Sequence, residues 1–475
     1  MKKLSFAKAS CMLFVICTAL AVNLPAQTVT TLQNFPSSSP TAALIQGADG
    51  NFYSTLAGGQ IGFEGSVYKM TPSGTFSTLY NFGANGGGAD GNFPFGPLVL
   101  ATNGDFYGTT EQGGTARQGN VYKITAGGIE TSLYSFCTTD CQDGASPNGP
   151  LIQVGSGAIY GATTSTIFKI TLGGALTTLY NFCPTSTTCN KNGPPYPSGL
   201  LLGQDGNFYG VTNAGGTNND GTVFKLTPSG TLTTLHNFSG SDGASPLGPL
   251  VRGRDGNLYG VTYSGGTGSG GNYCAVGTCG TIFKVTPGGT FTTLHDFSGS
   301  DGANLGFGLL LATDGNFYGT TRFGGIGGGT GSGTIFQLSP AGKFTTLYDF
   351  CSQTFCLDGN DPFATLMQAT NGTLYGTTSQ GGTQGLGTFF SLSMGLGPFV
   401  ETIPTSRKVG ARVAILGYGL TGTTTVTFNG TTAAFTVVSD TQITASVPIG
   451  ATTGTVQVTG PGGTLNSNVP FRVTH

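Results

Sequence analysis

The sequence repeats one segment seven times, and this repeat constrains the fold more than any other feature. A motif resembling DGNFYGTT recurs at intervals of 49 to 59 residues, together with motifs resembling GTVFKLTP and TTLYNF. A short apolar run precedes each DGN. The tyrosine of the first motif stands at Tyr53, Tyr107, Tyr160, Tyr209, Tyr259, Tyr318 and Tyr375.

Each period therefore contains four runs of strand character, which we name a (the apolar run), b (the tyrosine motif), c (the VFK motif) and d (the TTLYNF motif). The runs are about 4–8 residues long and end at Gly, Asn, Asp or Pro, which are turn residues. No helical periodicity follows the N-terminal segment. Four short strands in each ~50-residue repeat are typical of a β-propeller.

The order of the runs favours a ring over a linear array. The chain opens with a d run at 28–35, and its repeats end with a, b and c at about 366–393. In a ring the first d run completes the last sheet, whereas an open β-solenoid, the main alternative, leaves both edges unpaired. A transmembrane barrel is disfavoured because its strands need about 9–11 residues. We predict an all-β fold, with a seven-bladed β-propeller over 28–394 that is closed by the N-terminal strand.

Composition excludes several functions. Only 38 of the 475 residues are charged and the net charge is −2, so binding to nucleic acid or to an acidic membrane is not expected. Three His and no Trp leave little material for a histidine metal site, and we expect no cofactor and no metal. In turns such as Asp205-Gly206-Asn207, the Asp side chain bonds its own backbone and Gly takes positive φ. One such turn offers too few oxygens for calcium.

The N-terminus and the cysteines indicate export. Lys2, Lys3 and an apolar run that ends before Ala26 predict a signal peptide at 1–26, and the run is shorter than the ~20 residues of a membrane span. We expect a secreted, periplasmic or cell-surface protein without a visible C-terminal anchor. An exported chain with eight remaining cysteines in four close pairs predicts disulfides, whereas a zinc ribbon would need CxxC spacing. The predicted pairs are Cys137/Cys141, Cys183/Cys189, Cys274/Cys279 and Cys351/Cys356.

Antiparallel strands sort the connections onto two faces. The short a–b and c–d turns share one face, here the turn face, and the longer b–c and d–a loops share the other, here the loop face. All four cysteine pairs fall on the loop face, as do aromatic and charged residues outside the repeat. These residues suit contacts with sugars or a protein partner, or they pack under their own loops. The candidate ligand contacts are Tyr196, Tyr263, Tyr273, Phe323, Arg117, Arg322 and Glu111.

A second domain follows the repeats. Six or seven short strands between 398 and 475 predict a small β-sandwich. The run VAILGYGLTGTTTVTFNGTTAAFTVVSDTQITASVPIGATTGTVQVTGPGG closely resembles the IPT/TIG family of immunoglobulin-like domains. The resemblance implies a spacer or adhesion module and supplies no catalytic residues.

The repeats also resemble a known family. Segments such as Asp242-Gly243-Ala244-Ser245-Pro246 and Gly265-Gly266-Thr267 are similar to the choice-of-anchor tandem-repeat (GloVer) family of bacterial exported proteins, over about 28–394. The resemblance implies export and carries no established activity.

The residues outside the repeat favour binding over catalysis. A Ser/His/Asp set lacks its His, while a paired-carboxylate hydrolase drawing on Glu64, Glu111, Asp140, Asp220 or Asp361 remains open. We predict an exported, non-catalytic binding or adhesion scaffold that recognises a glycan or surface protein through the loop face. The alternatives are a secreted glycan-active hydrolase and a passive cell-envelope structural protein.

Overall fold

A computed structural model describes residues 28–474, except 59–63, 84–87, 156, 185–194, 269–273, 275–277 and 327–331. The predicted signal peptide, residues 1–26, lies outside the described residues. Regular structure in the described part consists of β-strands and a 3₁₀ turn, Thr354–Cys356. The all-β class predicted from the sequence is confirmed.

The repeat region forms seven antiparallel sheets, in which the runs a, b, c and d lie side by side. Sheet 1 contains β2 (Ile45–Gln46), β3 (Phe52–Ala57), β4 (Gly65–Met70) and β5 (Phe76–Asn81). Sheet 2 contains β6 (Val99–Leu100), β7 (Phe106–Thr110), β8 (Asn120–Ile124) and β9 (Glu130–Ser135). Sheet 3 contains β10 (Ile152–Val154), β11 (Ala158–Ala162), β12 (Thr166–Ile170) and β13 (Leu176–Asn181). Sheet 4 contains β14 (Pro197–Leu202), β15 (Phe208–Thr212), β16 (Thr222–Leu226) and β17 (Leu232–Asn237).

The remaining three sheets repeat this pattern. Sheet 5 contains β18 (Ala244–Arg252), β19 (Leu258–Ser264), β20 (Thr281–Val285) and β21 (Phe291–Asp296). In sheet 6 run a is split into β22 (Ala303–Leu305) and β23 (Leu310–Leu311), followed by β24 (Phe317–Phe323), β25 (Thr334–Leu338) and β26 (Phe344–Asp349). Sheet 7 contains β27 (Met367–Gln368), β28 (Leu374–Thr377), β29 (Thr388–Ser393) and, as its fourth strand, β1 (Thr28–Asn34).

The two ends of the repeat region meet in sheet 7. β1 pairs antiparallel with β29, with Thr28 opposite Ser393 and Asn34 opposite Thr388. A second link joins sheet 7 to sheet 1, because the Thr370 N–H donates to Gln46 Oε1 at 2.9 Å. Equivalent glutamines link sheet 3 to sheet 2 and sheet 7 to sheet 6. The link between the last and first sheets therefore has the same form as those between sheets that follow one another in the chain.

Aromatic packing between sheets builds the core. The repeat tyrosine of one sheet lies against an apolar ring of the next, as Tyr53 does on Phe106 with ring centres 4.2 Å apart. Tyr375 of sheet 7 packs on Phe52 of sheet 1 in the same way, at 4.6 Å. One buried apolar cluster lies between each successive pair of sheets, and one lies between sheets 7 and 1. Each sheet thus buries both of its faces.

The DGN turns hold the repeat tyrosines. Asp49 Oδ1 accepts the N–H of Asn51 at 3.1 Å, which confirms the predicted self-bonded turn. Asp49 Oδ2 accepts the Tyr53 hydroxyl at 2.8 Å. The same aspartate–tyrosine bond recurs in sheets 4, 5 and 6. The turn therefore satisfies the polar end of a ring whose body lies in the core.

The C-terminal segment forms separate sheets. One contains β30 (Glu401–Ile403), β32 (Arg412–Leu416), β36 (Gln442–Ser446) and β35 (Phe435–Ser439), and another contains β34 (Thr431–Thr432), β33 (Thr425–Phe428), β37 (Val456–Gly460) and β38 (Gly463–Asn466). A parallel pair joins β31 (Ser406–Lys408) to β39 (Arg472–Thr474). Val413 and Ile443 of the first sheet share one core with Phe428 and Val456 of the second, as a β-sandwich requires.

This C-terminal unit packs on the turn face of the repeat region. Thr441 Oγ1 donates to the Ala48 carbonyl at 2.7 Å. Leu416 joins the apolar cluster of Tyr53 and Leu100, and residues of both units line one cleft near the a–b turns of sheets 4 and 5. The loop face lies on the other side of the sheets.

The contact between sheets 7 and 1 gives a stability prediction. Phe35 is fully buried, and its ring centre lies 5.6 Å from that of Tyr68. We expect Phe35→Ala to lower the free energy of unfolding by about 3–5 kcal/mol, because it leaves a cavity where β1 meets sheet 1. Phe355→Ala, at a ring that is 89% exposed, is the matched control and should change it by less than about 0.5 kcal/mol. Equal effects of the two variants in urea unfolding would contradict the packing described.

Candidate functional site

Disulfides shape the loop face. Cys137–Cys141 and Cys351–Cys356 lie in the d–a loops that follow sheets 2 and 6, and Cys274–Cys279 lies in the b–c loop of sheet 5. Cys183 is also disulfide-bonded, while its predicted partner Cys189 lies outside the described residues. The bonded cysteines are only 4 or 5 residues apart, so these small rings restrain individual loops more than they hold the fold.

One position at the end of strand b differs in every repeat. It stands four residues after the repeat tyrosine, where the strand reaches the loop face, and it carries seven different residue types. The residue before it is threonine in six of the seven repeats. We call this set the mouth ring; its members are Ala57, Glu111, Thr164, Asn213, Tyr263, Arg322 and Ser379.

A constant frame lies beneath the mouth ring. In the six repeats that have it, the threonine before the ring member is buried, and its hydroxyl bonds a threonine of strand c in several sheets. Thr212 Oγ1 lies 2.9 Å from Thr222 Oγ1, and Thr262 Oγ1 lies 3.0 Å from Thr281 Oγ1. These buried pairs fix the end of strand b, so the following side chain projects from a rigid position.

A second set of residues lies beside the mouth ring, where the chain enters strand a. Each has a left-handed φ between 48° and 55°, although none is glycine. The backbone holds them there; for example, the Tyr196 N–H donates to Thr164 O at 3.1 Å, across to the previous sheet. Backbone strain of this kind concentrates at functional sites. We call them the collar residues: Phe93, Ser146, Tyr196, Ser245, Asn304 and Asp361.

Backbone hydrogen bonds join the two sets in sheets 2, 4 and 7. The Glu111 N–H donates to Phe93 O at 2.9 Å, and the Ser379 N–H donates to Asp361 O at the same distance. A cavity of about 180 Å³ lies next to them, where the chain enters strand a in six of the sheets. The cavity is lined by Thr41, Ala42, Ala43, Phe95, Pro97, Asn148, Pro150, Pro249, Phe307 and Thr365.

Four polar side chains from sheets 5, 6 and 7 interact beside the mouth ring. We call Tyr263, Arg322, Asp361 and Ser379 the polar arc. Arg322 forms a two-pronged ion pair with Asp361, with Nε–Oδ1 at 2.8 Å and Nη2–Oδ2 at 2.9 Å. Ser379 Oγ donates to Asp361 Oδ2 at 2.9 Å. Burial disfavours the charged guanidinium, but Asp361 and Tyr263 outweigh this and raise the pKa of Arg322. Arg322 therefore stays charged, and its pairing with Asp361 fixes the position of its guanidinium.

The structure places most of the predicted contact residues together. Glu111, Tyr263 and Arg322 belong to the mouth ring, and Tyr196 is a collar residue with 44% of its side chain exposed. Burial raises the pKa of the Glu111 carboxyl above its usual range.

The other three predicted contacts belong to neither set. Phe323 follows Arg322, whose guanidinium lies 5.0 Å from the centre of the Phe323 ring, and packs partly buried against the core between sheets 5 and 6. Arg117 is exposed in the b–c loop of sheet 2 and has a φ of 60°. Tyr273 lies outside the described residues.

Sequence reasoning missed Glu130, a partly buried residue that breaks the repeat beside the core. Glu130 begins β9, and the equivalent strands of sheets 1, 3, 4, 5 and 6 begin with Phe or Leu. Its Oε1 is buried and has no hydrogen-bond partner among the described residues. Burial and the nearby Asp90 carboxylate raise the pKa of Glu130 to about 7. Aligning run d across the repeats would have identified it.

Glu130 predicts a pH-dependent stability. Between pH ~4.3, where an unfolded Glu titrates, and about 7, the folded protein binds more protons than the unfolded chain, so stability falls as pH rises through this window. Glu130→Gln, which resembles the protonated form, should flatten the fall of Tm between pH 5 and 8 and should raise Tm at pH 8. Asp140→Asn, at an exposed position, is the control. An unchanged pH slope in Glu130→Gln would contradict this account.

The described residues contain no group of three or more His, Cys, Asp or Glu side chains placed to hold a metal ion. In the same part of the chain, no helix has the length and apolar character needed to cross a membrane.

Comparison with solved structures supports the fold. Streptogramin B lyase is 16% identical with a TM-score of 0.53, and the match covers 77% of this chain and 97% of that one. The extracellular domain of a putative hybrid two component system from B. thetaiotaomicron is 11% identical with a TM-score of 0.51, covering 95% of this chain and 59% of that one. A second such domain from the same organism is 10% identical with a TM-score of 0.50, covering 93% of this chain and 57% of that one. At these identities the likeness concerns the fold alone.

Comparison with family models covers nearly the whole chain. Residues 17–166, 143–278 and 273–415 match the model described as Gloeobacter/Verrucomicrobia repeat, and residues 398–473 match the IPT/TIG domain. No curated protein matches the sequence. The chain belongs to the Gloeobacter/Verrucomicrobia repeat family and carries an IPT/TIG domain after its repeats.

Proposed function

We propose that this chain is an exported, non-catalytic binding scaffold that recognises a glycan or a surface protein through its loop face. In this proposal the seven sheets over 28–394 are the blades of a β-propeller that β1 closes. The IPT/TIG domain at 398–475 packs on the opposite, turn face.

The pairing of β1 with β29 supports the closed propeller. A linear array would leave the first and last sheets with an unpaired edge and an uncovered apolar face. Here the packing of sheet 7 on sheet 1 uses the same aromatic contact as the packing of sheet 1 on sheet 2. Every sheet is therefore covered on both sides, which is the arrangement of blades around a ring.

Two observations support export. The N-terminus has the pattern of a signal peptide. The cysteines of the loop face are bonded in local pairs, which persist in oxidising compartments.

The observation that carries the binding proposal is the mouth ring. Seven residue types occupy one repeated position, on a frame of buried threonines that hardly changes. Variable side chains on rigid supports are how scaffolds present binding residues. Tyr263 in this ring and Tyr196 beside it supply aromatic surface. Aromatic side chains contribute large contact area to sugars and proteins.

The contacts of Asp361 favour binding over hydrolysis. A paired-carboxylate hydrolase needs two carboxyl groups that face the substrate. Asp361 is 3% exposed and accepts bonds from Arg322 and Ser379, so it serves to hold the arc. Asp361 is therefore not free to act as the second carboxyl beside Glu111, which is the acidic residue of the mouth ring.

A glycan array and a pull-down from envelope extracts test the proposal with the exported chain. We expect Tyr196→Ala and Tyr263→Ala each to weaken binding about tenfold, which corresponds to ~1.4 kcal/mol for an aromatic contact at an interface. Tyr418→Ala, in the IPT/TIG domain and 57% exposed, is the matched control and should leave affinity unchanged.

Other outcomes would contradict the proposal in different ways. Binding that both loop-face variants retain would exclude this face, and no binding at all would favour the passive envelope role. Cleavage of a bound glycan that Glu111→Gln abolishes would establish the hydrolase instead.

A further inference from the structure

The central cavity lies beneath the mouth ring and differs from it in chemistry. Its walls come from the inner strands and their approaches in sheets 1, 2, 3, 5, 6 and 7. None of the described residues that line it is charged. The polar groups among them belong to Thr41, Asn148 and Thr365. The mouth ring, in contrast, contains one acidic residue, Glu111, and one basic residue, Arg322.

Proline explains why the cavity is apolar. The inner strand of each sheet is an edge strand, whose unpaired N–H groups would otherwise point towards the centre. Pro97, Pro150 and Pro249 stand at this edge in three different sheets and have no N–H to leave unpaired. These three positions therefore present no N–H donor to water in the cavity.

Aromatic rings from separate sheets converge beside the cavity. Phe307 of sheet 6 lies 5.7 Å from Phe95 of sheet 2 and 4.6 Å from Phe363 of sheet 7, measured between ring centres, and both pairs are edge-to-face. The Arg322 guanidinium lies 4.5 Å from the centre of the Phe363 ring. The polar arc is thus in direct contact with the apolar group beneath it.

The size of the cavity selects the class of ligand. Its volume of about 180 Å³ exceeds the ~150 Å³ of an engineered apolar cavity that stays dry and binds benzene. A charged ligand or a sugar would lose its hydration without finding equivalent partners.

We propose that the central cavity binds a small, uncharged aromatic molecule of one or two fused rings, which enters from the loop face. The IPT/TIG domain packs on the turn face, so the loop face is the accessible end. This site goes beyond the proposed recognition of a glycan or protein at the mouth ring. The two sites can be tested, and can fail, separately.

Indole is a suitable probe because the chain contains no Trp. Its fluorescence, excited beyond the tyrosine absorption, should shift to shorter wavelength and saturate as the exported chain is titrated. Ala43→Phe places a ring in the cavity, and we expect it to weaken indole binding at least tenfold. Tyr418→Ala, distant from the cavity, should bind as the unmodified protein does. Thermal unfolding of each variant establishes that it is folded.

Xenon makes the test independent of any variant. In a crystal of the unmodified protein under xenon pressure, we expect electron density for xenon between Phe95, Phe307 and the prolines. Absence of xenon there, or indole binding that Ala43→Phe leaves intact in a folded protein, would overturn the proposal. Either result would make the cavity a packing void, whatever the loop face binds.

Discussion

Packing between the aromatic faces of neighbouring sheets is the interaction on which the rest of the structure depends. A single repeat of four short strands cannot bury its two apolar faces alone. Each sheet therefore needs a neighbour on both sides, and sheet 1 finds its second neighbour in sheet 7. Sheet 7 lacks a d strand of its own until β1 supplies it. Because run d comes first in the chain, the two ends of the repeat region are joined in sheet 7.

Local features of this fold could be predicted from the sequence, since each is contained within a few residues. The four runs and the self-bonded DGN turn depend on side chains that are neighbours in the chain. The bond from the Tyr53 hydroxyl to Asp49 spans only four residues, so it too could have been predicted from the motif. The position of the IPT/TIG domain on the turn face could not, because it depends on contacts such as Thr441 to Ala48, 393 residues apart.

The candidate site was predicted in part for the same reason. Glu111, Tyr263 and Arg322 were identified as candidate contacts because they are aromatic or charged residues outside the repeat on the loop face. Their shared position in the mouth ring is visible when the repeats are aligned. The role of Arg322 within that ring was not visible. Its partner Asp361 lies 39 residues away in the next sheet, and the pair forms only because the sheets pack. The central cavity has walls from six sheets, so no single repeat contains its signal.

What a repeat position packs against determines how freely its residue can vary between repeats. Tyr53 and its equivalents touch two sheets at once, so a change there costs the stability of a whole interface. A mouth-ring side chain stands beyond the last buried threonine, where the backbone is already held by hydrogen bonds, and it can change from Ala to Arg without disturbing a core. Glu130 is the informative exception, since it places a carboxyl in an apolar slot between sheets and raises its pKa there. Side chains can therefore diversify at the loop face because the interfaces between sheets supply the stability.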